Sequence, residues 1–179
     1  MAKKNEAMAI LEHLALEANR KQYPNMPDVY RPRFKYSDKT ANGLTKCIVD
    51  FLRFRGHQAE RIAVTGRYVD QTKVVSDCLG RHRRIGSGKW IKPSMQVGTA
   101  DISATVKGIG IKIEVKIGAD RQSESQAAYQ RGIEKAGGVY YIARTFIDFL
   151  QWYELTTIQL NLGKTPLSIG WRKLDADTI

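Results

Sequence analysis

Long apolar runs, cysteines, histidines and acidic residues are all scarce in this chain, and each scarcity excludes something. No apolar stretch approaches the ~20 residues that a membrane-spanning helix needs, so no span is expected. Glu6, Glu12 and Glu17 interrupt the only early apolar stretch, which argues against a secretory signal peptide. Cys47 and Cys78 are too few for a disulfide framework, so the simpler expectation is a reducing intracellular setting, cytoplasmic or nucleoid-associated. His13, His57 and His82 are scattered, and Cys78 with His82 lacks a second ligand pair, so structural zinc is not expected. Acids are outnumbered, 18 Asp and Glu against 29 Lys and Arg, for a net charge of +11. That excess favours a polyanionic partner, nucleic acid before a membrane surface.

What remains is the composition of an ordinary globular protein, 42% hydrophobic and 26% charged over 179 residues, enough for one domain with a full core. Residues 5–20 carry Met8, Leu11, Leu14 and Ala18 at helical spacing, an amphipathic helix that packs as an appendage. Pro24, Pro27 and Pro32 then mark an extended basic connector, so that 1–41 precedes a core domain over 42–155. In "GLTKCIVDFLRFRG", Leu44, Ile48, Phe51 and Leu52 share one helix face and Gly56 suits the C-terminal cap. A strand in "HQAERIAVTG" follows, and His57 beside the cap reads as a local capping residue rather than a general base. Residues 66–97 are polar, basic and turn-rich, with no clear period. A helix from Ser123 to about Ala136, a buried strand 139–143 and a helix capped by Thr145 complete the core. Ile158, Leu160 and Leu162 alternate as a further strand would, within a C-terminal extension over 156–179. The element order predicts an α/β fold, a sandwich around a mixed central sheet with helices on both faces.

The chemistry concentrates in "GTADISATVKGIGIKIEVK", residues 98–116. Gly108 and Gly110 offer the positive-φ positions of a tight hairpin turn. A turn centred on Gly108 and Ile109 would set Val106 opposite Ile111 and Asp101 opposite Lys116. Paired residues project to one side of a sheet. Asp101, Ser103, Glu114 and Lys116 therefore share a face, and Ile102, Ala104, Val106, Ile111, Ile113, Val115 and Ile117 line the other. A one-residue slip would bury Asp101 among the apolar side chains, so the alternation itself rejects it. Two neighbouring carboxylates repel, and a hard divalent cation offsets that repulsion through carboxylate oxygens, a backbone carbonyl and waters. A nearby ammonium then orients an attacking water or neutralises charge building on a phosphate. The competing reading is an exposed Asp–Lys cross-strand pair of little energetic consequence.

The run G-T-A-D (98–101), I-E-V-K (113–116), S-E-S-Q (123–126) and "GGVYYIA" resembles the PD-(D/E)xK nuclease superfamily, most closely its VRR-NUC type, relatives of Holliday-junction resolvases. The resemblance implies a restriction-endonuclease-like fold and Mg2+-dependent phosphodiester hydrolysis of DNA, with branched or junction structures among the substrates. It implies Asp101 and Glu114 as metal ligands, the Val115 carbonyl as a third, Lys116 serving the attacking water, and Gln126 bordering the site. Two positions depart from the family pattern. Ala100 stands where a proline is usual. The first-helix glutamate of relatives has no acidic counterpart, the equivalent places being Thr45 and, one turn earlier, Asn42; Asp50 and Glu60 are the nearest alternative acids. Asn42 serves equally well as a helix N-cap.

Gln126 has a second reading, because Ser123 and Gln126 have capping-box spacing. Arg81, Arg83, Arg84, Lys89 and Lys92 surround Trp90, a set suited to tracking a phosphate backbone with Trp90 stacked on a base, or equally to a solvated loop with its tryptophan in the core. Arg61 points to phosphate or to solvent. "GSGK" at 86–89 fails as a phosphate-binding loop, since Trp90 stands where Ser or Thr must reach magnesium. Tyr129 and Ile133 are core or dimer contacts, and a cut across a duplex calls for a two-fold homodimer. The alternatives to an enzyme are a nucleic-acid-binding module of the same fold and a structural basic protein of a nucleoprotein particle.

Overall fold

The structure, a computed structural model, describes residues 2–62, 66–76, 78–91 and 96–163. The protein is α/β, built on a mixed four-stranded sheet in the order β1-β6-β7-β8, with β1 at Gln58–Arg61, β6 at Ile102–Val106, β7 at Ile109–Val115 and β8 at Val139–Ala143. β6 pairs antiparallel with both β1 and β7, and β8 joins β7 in parallel across the helix α3, Glu124–Lys135. That parallel pairing is possible because a connection of this length can carry the chain back across the sheet.

Helices α1 (Ala2–Gln22), α2 (Ala41–Phe54) and α4 (Phe146–Asn161) cover one face. The alternating strand residues Ile102, Ala104, Val106, Ile111, Ile113 and Val115 are buried beneath them, as the period of two requires. Ile117 is only half-buried and packs at the edge of this core. Phe51 of α2 meets Phe146, Phe149 and Tyr153 of α4 edge-on, with ring centroids 5.9, 6.0 and 5.1 Å away. α1 contributes Ala7 and Leu11 to the same core, so it is part of the domain rather than an appendage. The connector after it is held by the Arg31 guanidinium, which bonds Asp28, Asn19 and the carbonyls of Tyr23 and Met26 around a short 3-10 turn at Asp28–Tyr30. α3 lies on the opposite face, with Tyr129 against Tyr140 of β8 at 6.3 Å.

The ends of α2 explain two residues. Its N-cap is Thr40, whose hydroxyl accepts from the Gly43 N–H at 3.1 Å, so Asn42 is not the cap. At the other end Gly56 takes φ +81° and donates to the Arg53 carbonyl while His57 N–H donates to that of Leu52, a Schellman closure. The His57 ring then meets the Tyr153 hydroxyl at 2.7 Å, tying α2 to α4, and burial holds its pKa below the usual histidine range.

Three expectations are corrected. The hairpin turn is Lys107–Gly108, with φ 49° and 83°, and Gly110 lies inside β7. Two consecutive positive φ values are those of a type I′ turn, whose twist matches the strands it joins. Val106 therefore pairs with Ile109 and Ile102 with Ile113, two residues away from the expected register. A shift of two preserves both faces, and it sets Asp101 opposite Glu114 rather than Lys116. Second, Ile158 and Leu160 lie in α4, which runs to Asn161, so there is no strand over 158–161 and the boundary at 155/156 falls inside a helix. Asn161 accepts a hydrogen bond from the Lys107 side chain, and this helical continuation carries the chain to the hairpin turn.

The third concerns the polar, turn-rich stretch, of which residues 66–76 and 78–91 are described. They form a two-stranded ribbon, β2 (Arg67–Asp70) with β5 (Gly88–Ile91) and β3 (Lys73–Ser76) with β4 (His82–Ile85). Both ladders keep one register, Arg67 opposite Ile91 and Lys73 opposite Ile85. Tyr68 lies over Gly88 and Trp90 over Gly66, where any β-carbon would collide with the ring. Trp90 is 58% exposed, so it is not tucked into the core.

Candidate active site

The face of the sheet under α3 is polar. Continuing the β6–β7 ladder by one pair sets Asp101 against Glu114, and the next row carries Glu60, Ser103, Lys112 and Tyr140 on the four strands. The Asp101 carbonyl accepts from Ile62 N–H at 2.7 Å, which anchors the chain at the end of β1. Its side-chain Oδ2 accepts from Val115 N–H at 2.9 Å. In an extended strand a residue's N–H and C=O lie on the same edge, so the Val115 carbonyl also turns to the Asp101 side.

Glu114 is 2% exposed. Its Oε1 accepts a hydrogen bond from the Gln126 side chain and lies 3.2 Å from Lys116 Nζ, which is also 3.3 Å from Asp120 Oδ2. The second oxygen, Oε2, is buried with no hydrogen-bond partner among the described residues. Burial, and then the negative charge of Asp101, push the Glu114 pKa up to about 7, against the opposing pull of Lys116. The carboxylate is therefore held in the position where its charged form is least comfortable. Such a group is stabilised by a cation that takes its free oxygen.

Gln126 bonds in two directions. Its Oε1 accepts from the Ser123 N–H at 2.9 Å, completing the capping box, while its Nε2 donates to Glu114. The helix cap thus orients a side-chain amide on the acid. Tyr140, whose position opposite Lys112 in the parallel pair was not legible without the β7–β8 register, is fully buried beside Glu114. Burial, and then that neighbouring charge, keep its hydroxyl protonated, and among the described residues the hydroxyl has no hydrogen-bond partner.

The first-helix positions contribute no acid. Asn42 Oδ1 accepts from Arg61 Nη2 at 2.7 Å, so these two meet each other at the end of β1 nearest Asp101. Thr45 is buried within α2. Asp50 is engaged by the Tyr36 hydroxyl at 3.0 Å and by Lys46, away from the polar face. Glu60 does lie on the polar face, exposed, diagonal to Asp101. Among the described residues no third His, Cys, Asp or Glu closes a cluster with Asp101 and Glu114. Arg81, Arg83, Arg84, Lys89 and Trp90 are all on the ribbon, and Lys92 lies outside the described residues.

Gly98 belongs to this site by its backbone, and its place ahead of the Thr-Ala-Asp run was the available signal. It has φ +85°, and a β-carbon there would stand 2.4 Å from the Ser125 carbonyl oxygen and 2.8 Å from the Gln126 nitrogen. Only glycine lets the chain pass so close to the start of α3. Gly98→Ala is expected to cost more than ~1 kcal/mol in urea unfolding and to lower any activity that depends on Gln126. Gly108→Ala, with a similar φ but open space around it, is expected to cost less. Equal losses would show that the close approach to α3 is immaterial.

No protein-family model matches the chain, and no curated protein matches it. Among the described residues no helix is long and apolar enough to cross a membrane.

Proposed function

We propose that the protein is a magnesium-dependent deoxyribonuclease with a restriction-endonuclease-like, PD-(D/E)xK fold of the VRR-NUC type, acting on duplex or branched DNA. The observation that carries this reading is the buried Glu114, opposite Asp101, with one oxygen unpartnered among the described residues and Lys116 at 3.2 Å from the other. Asp101, Glu114 and the Val115 carbonyl would hold the metal. Bound there, magnesium or manganese supplies Lewis-acid charge to a phosphate oxygen and lowers the pKa of a water. Lys116, steered by Glu114 and Asp120, orients the attacking water and offsets charge building on the phosphate. Gln126 keeps Glu114 turned toward the metal position. Cleavage leaves a 5′-phosphate and a 3′-hydroxyl, and a two-fold homodimer brings two such sites to one duplex.

A second reading is a nucleic-acid-binding module with weak or absent chemistry. It is favoured by the engagement of Asn42 with Arg61 rather than with the acids. Incubation with linear, nicked, flapped and four-way-junction DNA, with and without Mg2+ or Mn2+, separates the two. Metal-activated cleavage of at least one substrate is expected. Intact DNA of every form at high protein concentration would leave the binding module as the better account.

A further inference from the structure

The ribbon of residues 67–91 divides its charge between its two faces. Cross-strand partners share a face, so one side carries Tyr68, Asp70, Val74, Ser76, His82, Arg84 and Trp90. On that side Arg84 bonds Asp70 at 3.0 Å and Thr72 at 2.9 Å. These bonds reach across the gap between the two ladders, so both halves present the same side together. The charges there cancel.

The other side carries Arg67, Lys73, Arg83 and Lys89, with no acid among its described residues. Each base sits directly across from an apolar residue: Arg67 from Ile91, Lys89 from Val69, Lys73 from Ile85 and Arg83 from Val75. The four charges span eight residue steps, about 27 Å. Ile85 and Val75 are 53% and 44% exposed, so the apolar half of this pattern is not spent on the core. Among the described residues the ribbon strands pack on each other and make no extensive contact with any helix or sheet strand. By connectivity the ribbon departs shortly after Ile62 and returns shortly before Gly98, both at the end of the sheet where Asp101 lies.

We infer that this ribbon is a duplex-reading arm whose Arg67–Lys73–Arg83–Lys89 face enters the major groove of DNA, Trp90 and Arg84 facing away. The inference rests on the reading of DNA as substrate and adds the form of DNA and the face that meets it. A major groove about 12 Å wide admits a two-stranded ribbon. Four bases at strand spacing meet phosphates on the groove walls, and the intervening valine and isoleucine side chains meet thymine methyl groups and sugar edges. A second copy of the same face is an unfavourable partner, because four positive charges would oppose four. Trp90 lies on the opposite face with its ring against Gly66, so it takes no part in the groove contact proposed here.

The test measures binding of the full chain, in EDTA so that no cleavage intrudes, to a blunt duplex two turns long and to a single strand of equal length. The variant Arg67→Gln/Lys73→Gln/Arg83→Gln/Lys89→Gln is expected to lose more than about tenfold in duplex affinity. The slope of log affinity against log salt should become shallower by about 3–4. Single-strand binding should change far less. A charge-matched variant at Lys21, Lys35, Arg131 and Lys135, exposed residues away from the ribbon, is expected to lose much less. Replacing 71–87 by Asn-Gly, which closes the Asp70–Gly88 pair with a two-residue turn and keeps Arg67 and Lys89, should give part of that loss with an unchanged unfolding midpoint.

Equal losses in the charge-matched variant would overturn the inference in favour of diffuse attraction. So would equal losses on single strands, unchanged duplex binding, or a loss confined to phosphatidylserine vesicles. Asp101→Ala separates the two levels: if it leaves cleavage intact the nuclease reading fails, whereas the ribbon inference stands or falls on the binding data alone.

Discussion

Glu114→Gln is expected to reduce magnesium-dependent cleavage of DNA about a thousandfold or more, while DNA affinity measured without metal is retained or slightly improved. The amide keeps an oxygen where Glu114 Oε1 now accepts from Gln126 and faces Lys116, so the local hydrogen bonds survive. What disappears is the negative charge and one metal-binding oxygen. Metal coordination and the charge it brings to the phosphate are worth several kcal/mol in the transition state, and each 1.36 kcal/mol is a factor of ten. Asp101→Asn should behave alike, because its Oδ2 acceptor to Val115 N–H can be reproduced by the amide oxygen. Single-turnover rates at saturating DNA read the effect directly. Cleavage within tenfold of the parent in both variants would remove the acid pair from the chemistry.

The second large effect concerns stability without metal. Glu114 has its pKa raised from 4.5 to about 7 in the folded protein, first by burial and then by Asp101. Between those values the unfolded chain has released this proton while the folded chain retains it. The folded state binds more protons, so stability falls as pH rises from about 4.5 to about 7 and levels off above. The shift corresponds to about 3 kcal/mol. His57, whose pKa is lowered by burial, works in the opposite direction: its contribution is lost as pH falls below its unfolded value of 6.5. The difference in urea-unfolding free energy between the parent and Glu114→Gln isolates the glutamate. That difference should grow in favour of the variant by about 3 kcal/mol between pH 4.5 and pH 8 in EDTA. Saturating Mn2+ should abolish it, because a cation binds only the deprotonated pair and its affinity rises with pH. A pH-independent difference, or one untouched by Mn2+, would mean that the two carboxylates do not share a site of this kind.

Much of this site was legible before any coordinates. The alternation from Ile102 to Val106 and from Ile111 to Val115 placed Asp101, Glu114 and Lys116 on one face, since a period of two survives any even shift of register. Ser123 with Gln126, Thr145, and Gly56 marked helix ends through local backbone chemistry that needs no distant partner. The turn at Lys107–Gly108 was misplaced because lysine rarely takes positive φ. There the competing attraction was Ile109, which gains a ladder partner in Val106. Ile158 and Leu160 alternated as a strand would, but the amphipathic run from Phe146 packs against Phe51 and carries the helix past them.

From Asp101 to Lys116 the spacing of polar and apolar residues by itself determined which side chains could meet, because strand geometry is local and repeats every second residue. Only the tertiary structure decided who stands opposite whom, that the Gln126 amide turns onto Glu114, and that residues 67–91 rise as a ribbon with one basic face. Those outcomes depend on contacts between segments far apart in the chain. Their energies come from burial, from close passage at Gly98 and from charges such as Asp101 beside Glu114, none of which a local pattern encodes.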